Sequence, residues 1–290
     1  MKNFLAVGTF DGVHAGHRRL LSELRLTAEK RGLKSLAVYF PLPPKAVLSG
    51  QTRGCLLTLP KEREKLILSC GVAAGAFDFT RETANMSREE FFSEILLKKF
   101  AMAGLLAGQD FAFGRGRSGH LDFLRSRCLE EGVELHILPF VADEGHKISS
   151  SVLRRIVGEG HLEKASAELG RNYSVSGKVV RGLGLGRKLG FPTANLEVDQ
   201  RKIIPRGVFA GRAFVSEKAF RAVINVGFRP TLSPRQNEPL AEAHLLNFDR
   251  DIYSRTITVE FERKIRAEKK FASLDELKEA IKTDVSAAAQ

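Results

Sequence analysis

The hydrophobic pattern of this chain changes once, near Gly158, and that change constrains the fold more than any other feature. Before it, short apolar runs alternate with stretches whose apolar residues recur at i, i+3 and i+4. The apolar runs predict buried strands at residues 3–8, 34–40, 72–77, 104–108 and 133–139. Because strands that alternate with helices are typical of parallel crossovers, this part is predicted to be a doubly wound α/β domain.

Two helices of this first part have clear boundary signals. The segment 17–31 carries an apolar face and is followed by Gly32, which can end a helix in the left-handed conformation. That face consists of Leu20, Leu21, Leu24 and Ala28. Ser87, with Glu90 three residues later, forms a capping-box pattern and predicts a second helix. Its inward residues are expected to be Phe91, Ile95 and Leu96.

After Gly158 a short helical stretch, 162–169, leads into strand-like runs with a period of two. These runs are rich in β-branched and aromatic residues and predict antiparallel strands at 173–180, 208–215, 220–226, 240–246 and 256–265. A final helix begins at Ser273 and Glu276, with an expected inner face of Leu274, Leu277, Ile281 and Val285. Since closure removes exposed strand edges, we predict an antiparallel β-barrel with a packed C-terminal helix, and domains at 1–158 and 168–290.

Composition narrows the class of protein. Three cysteines without a CxxC pair suggest neither a disulfide framework nor a thiolate zinc site, and they indicate a reducing compartment. Neither a leader segment nor a membrane span is apparent, so we expect a cytoplasmic protein with no membrane partner. The net charge of +12 suits nucleic acid, a membrane face or small polyanions such as ATP. The basic residues are scattered and no nucleic-acid module is apparent, which argues against nucleic acid.

The strongest chemical signal is the segment GTFDGVHAGH at 8–17, which joins the first strand to the first helix. His14 and His17 lie three residues apart at the positive N-terminus of that helix, with Gly16 between them. Backbone N–H groups and the helix dipole attract phosphate there, and imidazoles can donate to charge that develops on an α-phosphate. The alternative is that the two histidines only cap the turn.

Three further segments combine glycine, hydroxyl and basic residues. They are GQDFAFG at 108–114 with Gly116 and Gly119, ISSSVLR at 148–154, and RGLGLGRKLG at 181–190 followed by FPTAN at 191–195. Each has a plainer reading: a surface turn, a serine N-cap before a helix, or a hairpin tip. The 181–190 loop can also bring backbone amides and cations against a triphosphate.

Together these segments resemble, in order and over nearly the whole chain, the prokaryotic bifunctional riboflavin kinase/FAD synthetase family. The 8–17 segment resembles the HxGH signature of the nucleotidylyltransferase superfamily, which implies a Rossmann-like fold and FMN adenylylation. The 191–195 segment resembles the PTAN motif of riboflavin kinases. NVGFRPT at 225–231 and EAHLL at 242–246 resemble further kinase motifs. The resemblance implies that ATP phosphorylates riboflavin to FMN and then adenylylates FMN to FAD, with Mg²⁺.

The resemblance also assigns residues. It implies that Glu242 is the kinase base and that His14 and His17 serve adenylyl transfer, while His244 is expected to be structural. Magnesium ligands are Thr193 and Asn195. Nucleotide-binding residues are Gly8, Phe10, Gly16, Asp110, Ser150, Ser151, Arg154, Gly182, Gly186 and Arg187. Flavin-binding residues are Phe111, Phe113, Asn225 and Arg229.

Three positions depart from the family pattern. Pro43 stands where the family usually has a histidine, Ser151 replaces a threonine, and Phe228 replaces another. Three hypotheses therefore remain: a bifunctional enzyme, a kinase with weakened adenylylation, and a nucleic-acid-binding protein. The partners expected are riboflavin, FMN and ATP, and the oligomeric state is left open between a monomer and weak self-association.

Overall fold

The computed structural model describes residues 2–139, 142–143, 146–147, 149–228 and 239–290. Its chain forms two compact units, Met1–Ser150 and Ser151–Gln290.

The first unit is built on a five-stranded parallel sheet with the order β3-β2-β1-β4-β5. Its strands are β1 (Asn3–Gly8), β2 (Lys34–Tyr39), β3 (Ala73–Ala76), β4 (Met102–Gly108) and β5 (Glu134–Leu138). Along β1, Leu5 packs into one apolar cluster while Phe4 and Ala6 pack into another. Alternate side chains of the strand are thus buried on opposite faces, as expected for a sheet covered on both sides. The predicted α/β fold is confirmed.

The helices of this unit fill the connections between the strands. They are α1 (Ala15–Lys30), α2 (Pro44–Ser49), α3 (Pro60–Ser69), α4 (Arg81–Asn85), α5 (Arg88–Glu90) and α6 (Leu121–Glu130). A 3₁₀ turn covers Arg115–Arg117, and β6 (Ala142–Asp143) pairs antiparallel with β7 (His146–Lys147). The predicted end of α1 is confirmed, because Gly32 follows the helix with φ +64°.

The helix predicted from Ser87 also forms, but with a different winding. The Ser87 hydroxyl accepts from Glu90 N at 3.0 Å, and the Glu90 carboxylate accepts from Ser87 N at 2.7 Å. After α5 the chain continues as a π-helix over Phe91–Lys99. Phe91 and Leu96 are both buried, and Phe100 N donates to Ile95 O at 3.1 Å, which is an i to i+5 hydrogen bond. Ile95 is only partly buried.

The second unit contains a closed barrel with the strand order β10-β11-β12-β9-β8-β13, which confirms the predicted architecture. Its strands are β8 (Tyr173–Val180), β9 (Ala194–Val198), β10 (Gly207–Val215), β11 (Lys218–Phe228), β12 (Pro239–Leu245) and β13 (Thr256–Arg266). Its helices are α7 (Ser150–Glu159), which begins at the last residue of the first unit, α8 (Leu162–Leu169), α9 (Leu185–Lys188) and α10 (Leu274–Ala289). In β8 every second residue is buried, so the strand has one inner face.

The C-terminal helix α10 packs against β10 and β11 through its last turns. The Arg266 guanidinium binds the buried Asp284 carboxylate at 2.8 Å, and Arg221 Nε donates to Ala288 O at 2.9 Å. Arg263 donates to Ala287 O. The predicted inner face is wrong at its first member, because Leu274 is exposed while Asp284 and Ala288 are buried. The ion pair with Arg266 allows the carboxylate of Asp284 to be buried on this face of the helix.

Within the described ranges, no helix has both the length and the apolar character that crossing a membrane requires.

Candidate active sites

The first candidate site lies where the strand order of the α/β sheet reverses. The chain runs outward from β1 to β2 and β3, then returns to β4 on the other side of β1. The loops after Gly8 and Gly108, at the ends of β1 and β4, therefore turn in opposite directions and leave a crevice between them. Both glycine-containing segments predicted to bind the nucleotide and flavin, 8–17 and 108–119, occupy these loops.

The two predicted histidines meet at the start of α1. His14 is the N-cap residue, and its ring stacks on that of His17 with the centroids 3.8 Å apart. Phe10 packs against His17 at a centroid distance of 5.3 Å. A side chain at Gly16 would stand 3.3 Å from the His14 ring, so glycine fits this close approach. The predicted cluster is thus assembled at a helix N-terminus, where backbone N–H groups favour an anion.

The backbone of this loop is strained. Phe10 has φ 48° and Val13 has φ 42°, although neither is glycine. A β-branched residue at positive φ is a genuine outlier, and such conformations persist only where the surroundings impose them. Strain of this kind is common at functional sites, where it helps to fix the backbone for a ligand.

The strained loop contains a buried carboxylate of its own, that of Asp11. Asp11 has no solvent exposure, and its carboxylate accepts from Leu57 N at 3.0 Å and Thr58 N at 2.9 Å. It also accepts from the Thr58 hydroxyl at 3.1 Å and from Arg63 Nη2 at 3.0 Å. The Thr58 hydroxyl oxygen in turn accepts from Gly12 N at 2.9 Å. Asp11 therefore anchors the loop inward, away from the anion site.

Arg63 on helix α3 is the second charged member of this buried hydrogen-bond network. Its side chain is also fully buried, and Nη1 donates to Thr9 O at 2.9 Å and Phe40 O at 2.6 Å, while Nη2 donates to Thr58 O at 2.9 Å. Burial raises the pKa of Tyr39, whose ring lies 5.8 Å from the guanidinium carbon, so this phenol stays neutral at pH 7. Sequence reasoning missed Asp11, Thr58 and Arg63. Only Asp11 carried a signal, as an acidic residue inside an anion-binding motif.

The loop after β4 separates its predicted residues. Asp110 is exposed and Phe111 is partly buried, whereas Phe113 is 7% exposed and packs against Phe91 with ring centroids 5.2 Å apart. Gly119 pairs with Phe113 through two backbone hydrogen bonds of 2.9 and 3.0 Å. Phe113 is thus a core residue of this loop, and Phe111 presents the more accessible ring.

Ser150 of the serine segment is the last residue of the first unit, and it lies at the strained loop. Its hydroxyl donates to Asp11 O at 3.0 Å. Ser151 and Arg154 follow on α7 and belong to the second unit.

The second candidate site lies on the barrel, where three predicted residues fall in one cross-strand row. Asn195 on β9 is the register partner of Glu242 on β12, and Glu242 is the partner of Asn225 on β11. Directly paired residues of antiparallel strands point to the same face, so the three side chains are neighbours. Arg229, predicted to bind flavin, lies outside the described residues.

The glycine-rich loop lies against this row. A Cβ atom at Gly182 would come within 2.6 Å of the Asn195 carboxamide, and one at Gly186 would come 2.4 Å from Phe191 O and 3.4 Å from the Thr193 hydroxyl. A larger residue at Gly182 would displace the Asn195 side chain, and one at Gly186 would clash with the Phe191 carbonyl. The two glycines therefore allow the loop backbone to approach the 191–195 segment closely. His244 on β12 also holds the 191–195 segment, because its Nδ1 donates to Pro192 O at 2.8 Å.

The chemistry of these side chains fits a metal bound to a nucleotide. Within the part of the chain that the structure describes, Asn195 Oδ1 is buried without a hydrogen-bond partner, which is costly unless a ligand supplies one. A hydroxyl and a carboxamide are neutral oxygen donors, which suit Mg²⁺ that already carries phosphate ligands. Thr193 and Asn195 therefore fit the predicted ion.

A cleft of about 360 Å³ opens beside these residues. The apolar side chains of Phe248, Ile252 and Tyr253 line it together with polar and charged residues, which are Arg187, Thr193, Asp249, Arg250 and Asp251. A cleft that combines apolar walls with polar groups is typical of a small-molecule site. Sequence reasoning missed the wall residues Ile252 and Tyr253, because they lie on a loop with no regular pattern.

A switch-point crevice on an α/β sheet and a barrel cleft beside a glycine-rich loop are the features expected of a two-part enzyme that uses a nucleotide in each part. The family model described as FAD synthetase matches residues 1–152, and the model described as riboflavin kinase matches residues 169–290. The chain belongs to the bifunctional riboflavin kinase/FMN adenylyltransferase family, which confirms the resemblance seen in the sequence.

Full-length relatives support this membership. The bifunctional riboflavin kinase/FMN adenylyltransferase of Escherichia coli K12 is 36% identical over 97% of this chain and 90% of its own length. That of Pseudomonas fluorescens is 33% identical over the same shares. A crystal structure described as a macrolide-efflux protein from Streptococcus pneumoniae matches with a TM-score of 0.87 and 29% identity, covering 100% of this chain and 94% of that one.

Proposed function

We propose that this chain phosphorylates riboflavin to FMN and adenylylates FMN to FAD, with ATP as the donor in both reactions. Membership of the family and the two matched models support both activities. We assign adenylylation to a domain at 1–158 and phosphorylation to a domain at 168–290. The cross-strand row of Asn195, Glu242 and Asn225 beside the glycine-rich loop carries the assignment of the kinase site.

In the kinase site, Glu242 is the base. Its carboxylate takes the proton of the riboflavin 5′-hydroxyl as that oxygen attacks the γ-phosphate. Thr193 and Asn195 would hold Mg²⁺, and the bound ion would neutralise phosphate charge. The backbone of Gly182 and Gly186, together with Arg187, binds the phosphates, and Asn225 and Arg229 contact the flavin.

In the adenylyltransferase site, the N-terminus of α1 binds the α-phosphate. Gly8, Phe10 and Gly16 shape this pocket, while His14 and His17 donate to the charge that develops during attack by the FMN phosphate. The leaving pyrophosphate is held by Ser150, Ser151 and Arg154. Asp110, Phe111 and Phe113 belong to the loop that borders nucleotide and flavin, with Phe111 making the ring contact.

Separation of the flavins after incubation with riboflavin, ATP and Mg²⁺ tests the function. We expect FMN first and FAD later, with one pyrophosphate released for each FAD, because attack at the α-phosphate leaves the β and γ phosphates joined. Release of single phosphates during FAD formation would contradict adenylyl transfer. Omission of Mg²⁺ should stop phosphorylation, which checks the proposed ion.

A second candidate is a kinase with weak adenylylation. The observation that favours it is Pro43, a buried residue at the N-cap of α2 where the family usually has a histidine. Proline offers no side-chain donor to a phosphate. Accumulation of FMN without FAD, at saturating ATP, would select this candidate over the bifunctional enzyme.

We also propose a cytoplasmic location. All three cysteines are free thiols in the structure, and free thiols are typical of a reducing compartment.

A further inference from the structure

The buried ion pair of Asp11 and Arg63 is an unusual way to hold a loop. Both side chains have no exposure, so both charges have been removed from water. Such a pair is weak support for stability, because desolvation cancels much of the attraction and apolar residues of similar size often do as well. Because the desolvation of both charges is costly, we look for a role of this pair other than stabilising the fold.

The hydrogen bonds of the pair indicate that its role is to fix the backbone of the loop. Arg63 donates to Thr9 O and Phe40 O, and Asp11 fixes its own loop to the backbone of residues 57 and 58. Gly12 N is held by the Thr58 hydroxyl. Thr9, Asp11 and Gly12 are thereby fixed on both sides of Phe10 and immediately before Val13, the two residues at positive φ. The network imposes the strained path by which the chain enters α1 at His14.

We infer that Asp11, Thr58 and Arg63 are positioning residues for adenylyl transfer, a role that rests on the proposed function. None of them faces the anion site, and they act through the backbone that places His14, His17 and the first N–H groups of α1. Misplacement of such donors by about 1 Å costs up to about a hundredfold in rate without any loss of a reacting group. The effect therefore falls on turnover rather than on folding or on phosphorylation of riboflavin.

A double substitution separates positioning from stability. Asp11→Asn with Arg63→Met removes both charges together, keeps an acceptor for the N–H groups of residues 57 and 58, and leaves no buried unpaired charge. Because Thr9 O, Phe40 O and Thr58 O lose the Arg63 donor, we expect a lower thermal transition in a variant that still folds, and riboflavin phosphorylation within about twofold when assayed below that transition. The kcat for FAD formation should fall at least about tenfold, with little change in the KM for ATP. Parental kcat in this folded variant would overturn the inference.

Two single variants keep the test decisive if the double variant is unstable. Thr58→Val preserves shape but removes the hydroxyl that binds Gly12 N, and we expect kcat for FAD formation to fall several-fold while phosphorylation persists. Arg63→Lys keeps a buried cation with fewer donors, and should retain more adenylyl transfer than Arg63→Met. Because the barrel unit is expected to fold alone, retained phosphorylation does not report on the first unit. FAD formation that falls only in proportion to the fraction of the first unit that is unfolded, measured from its thermal transition, would show a merely structural role. Failure of the parent protein itself to form FAD would instead overturn the proposed function.

Discussion

At the scale of single residues, the imidazole of His17 is expected to contribute to FAD formation and not to riboflavin phosphorylation. His17→Ala removes a group proposed to donate to charge on the α-phosphate, so FAD formation from FMN should fall by about 10² or more, the scale for one preorganised donor. Phosphorylation of riboflavin should stay nearly normal, since it uses residues of the barrel. Separate rate measurements with FMN and with riboflavin as substrate check this. Loss of both reactions in a protein with an unchanged thermal transition would contradict the two-site assignment.

Asn195 offers the reciprocal change. Asn195→Ala removes a proposed magnesium ligand and should abolish riboflavin phosphorylation, while FAD synthesis from supplied FMN stays intact. Because Asn195 Oδ1 has no hydrogen-bond partner in the described structure, its loss should cost little stability. Assays of both reactions and a thermal melt test this. The thermal melt is the folding control for each variant, and the retained second activity shows that the other unit is intact.

At the scale of elements, an ion pair connects the end of α1 to the edge strand β5. Arg31 donates to the Glu134 carboxylate at 2.6 and 2.8 Å and, with His136, lowers the pKa of Glu134 from 4.5 to about 2. The charged carboxylate therefore stabilises the fold above about pH 4.5, and this contribution disappears as the pH falls toward 2. Since both side chains are partly solvated, it amounts to about 1 kcal/mol or less.

Urea unfolding of the parent protein and Glu134→Gln measures this contribution. The difference in free energy of unfolding should be greatest near pH 7 and should shrink below pH 4.5. A difference that grows as the pH falls would contradict the assignment.

Elements with a strong periodic pattern were predictable, and elements held by distant partners were not. Strand β1 and helix α8 match their predicted ranges, because their apolar residues alone specify burial. Strand β9 was missed, since Asn195 puts a buried polar residue where a strand pattern would have an apolar one. The link from Asp11 to Arg63 spans 52 residues, and no local pattern reveals it. Sequence motifs identified the loops of both sites, but not the network that fixes the first.

At the scale of the whole molecule, the barrel unit should work alone. A fragment 151–290 should fold and produce FMN, because it contains the closed barrel with α7 and α8. A fragment 168–290 should be less stable, since it lacks the buried Leu162 and Ala165 of α8, which packs against β8 and β13. Thermal melts and FMN production compare the two. Equal stability would show that α8 contributes nothing to the barrel.

The cross-strand row on the barrel also makes catalysis a reporter of strand pairing. Asn195, Glu242 and Asn225 come from three different strands and lie directly opposite one another only in one register. A slip of a single residue between any two of these strands would turn one of the side chains to the opposite face. In refolding experiments, recovery of riboflavin phosphorylation would therefore count the chains that had paired their strands correctly, whereas circular dichroism would also count those that had slipped.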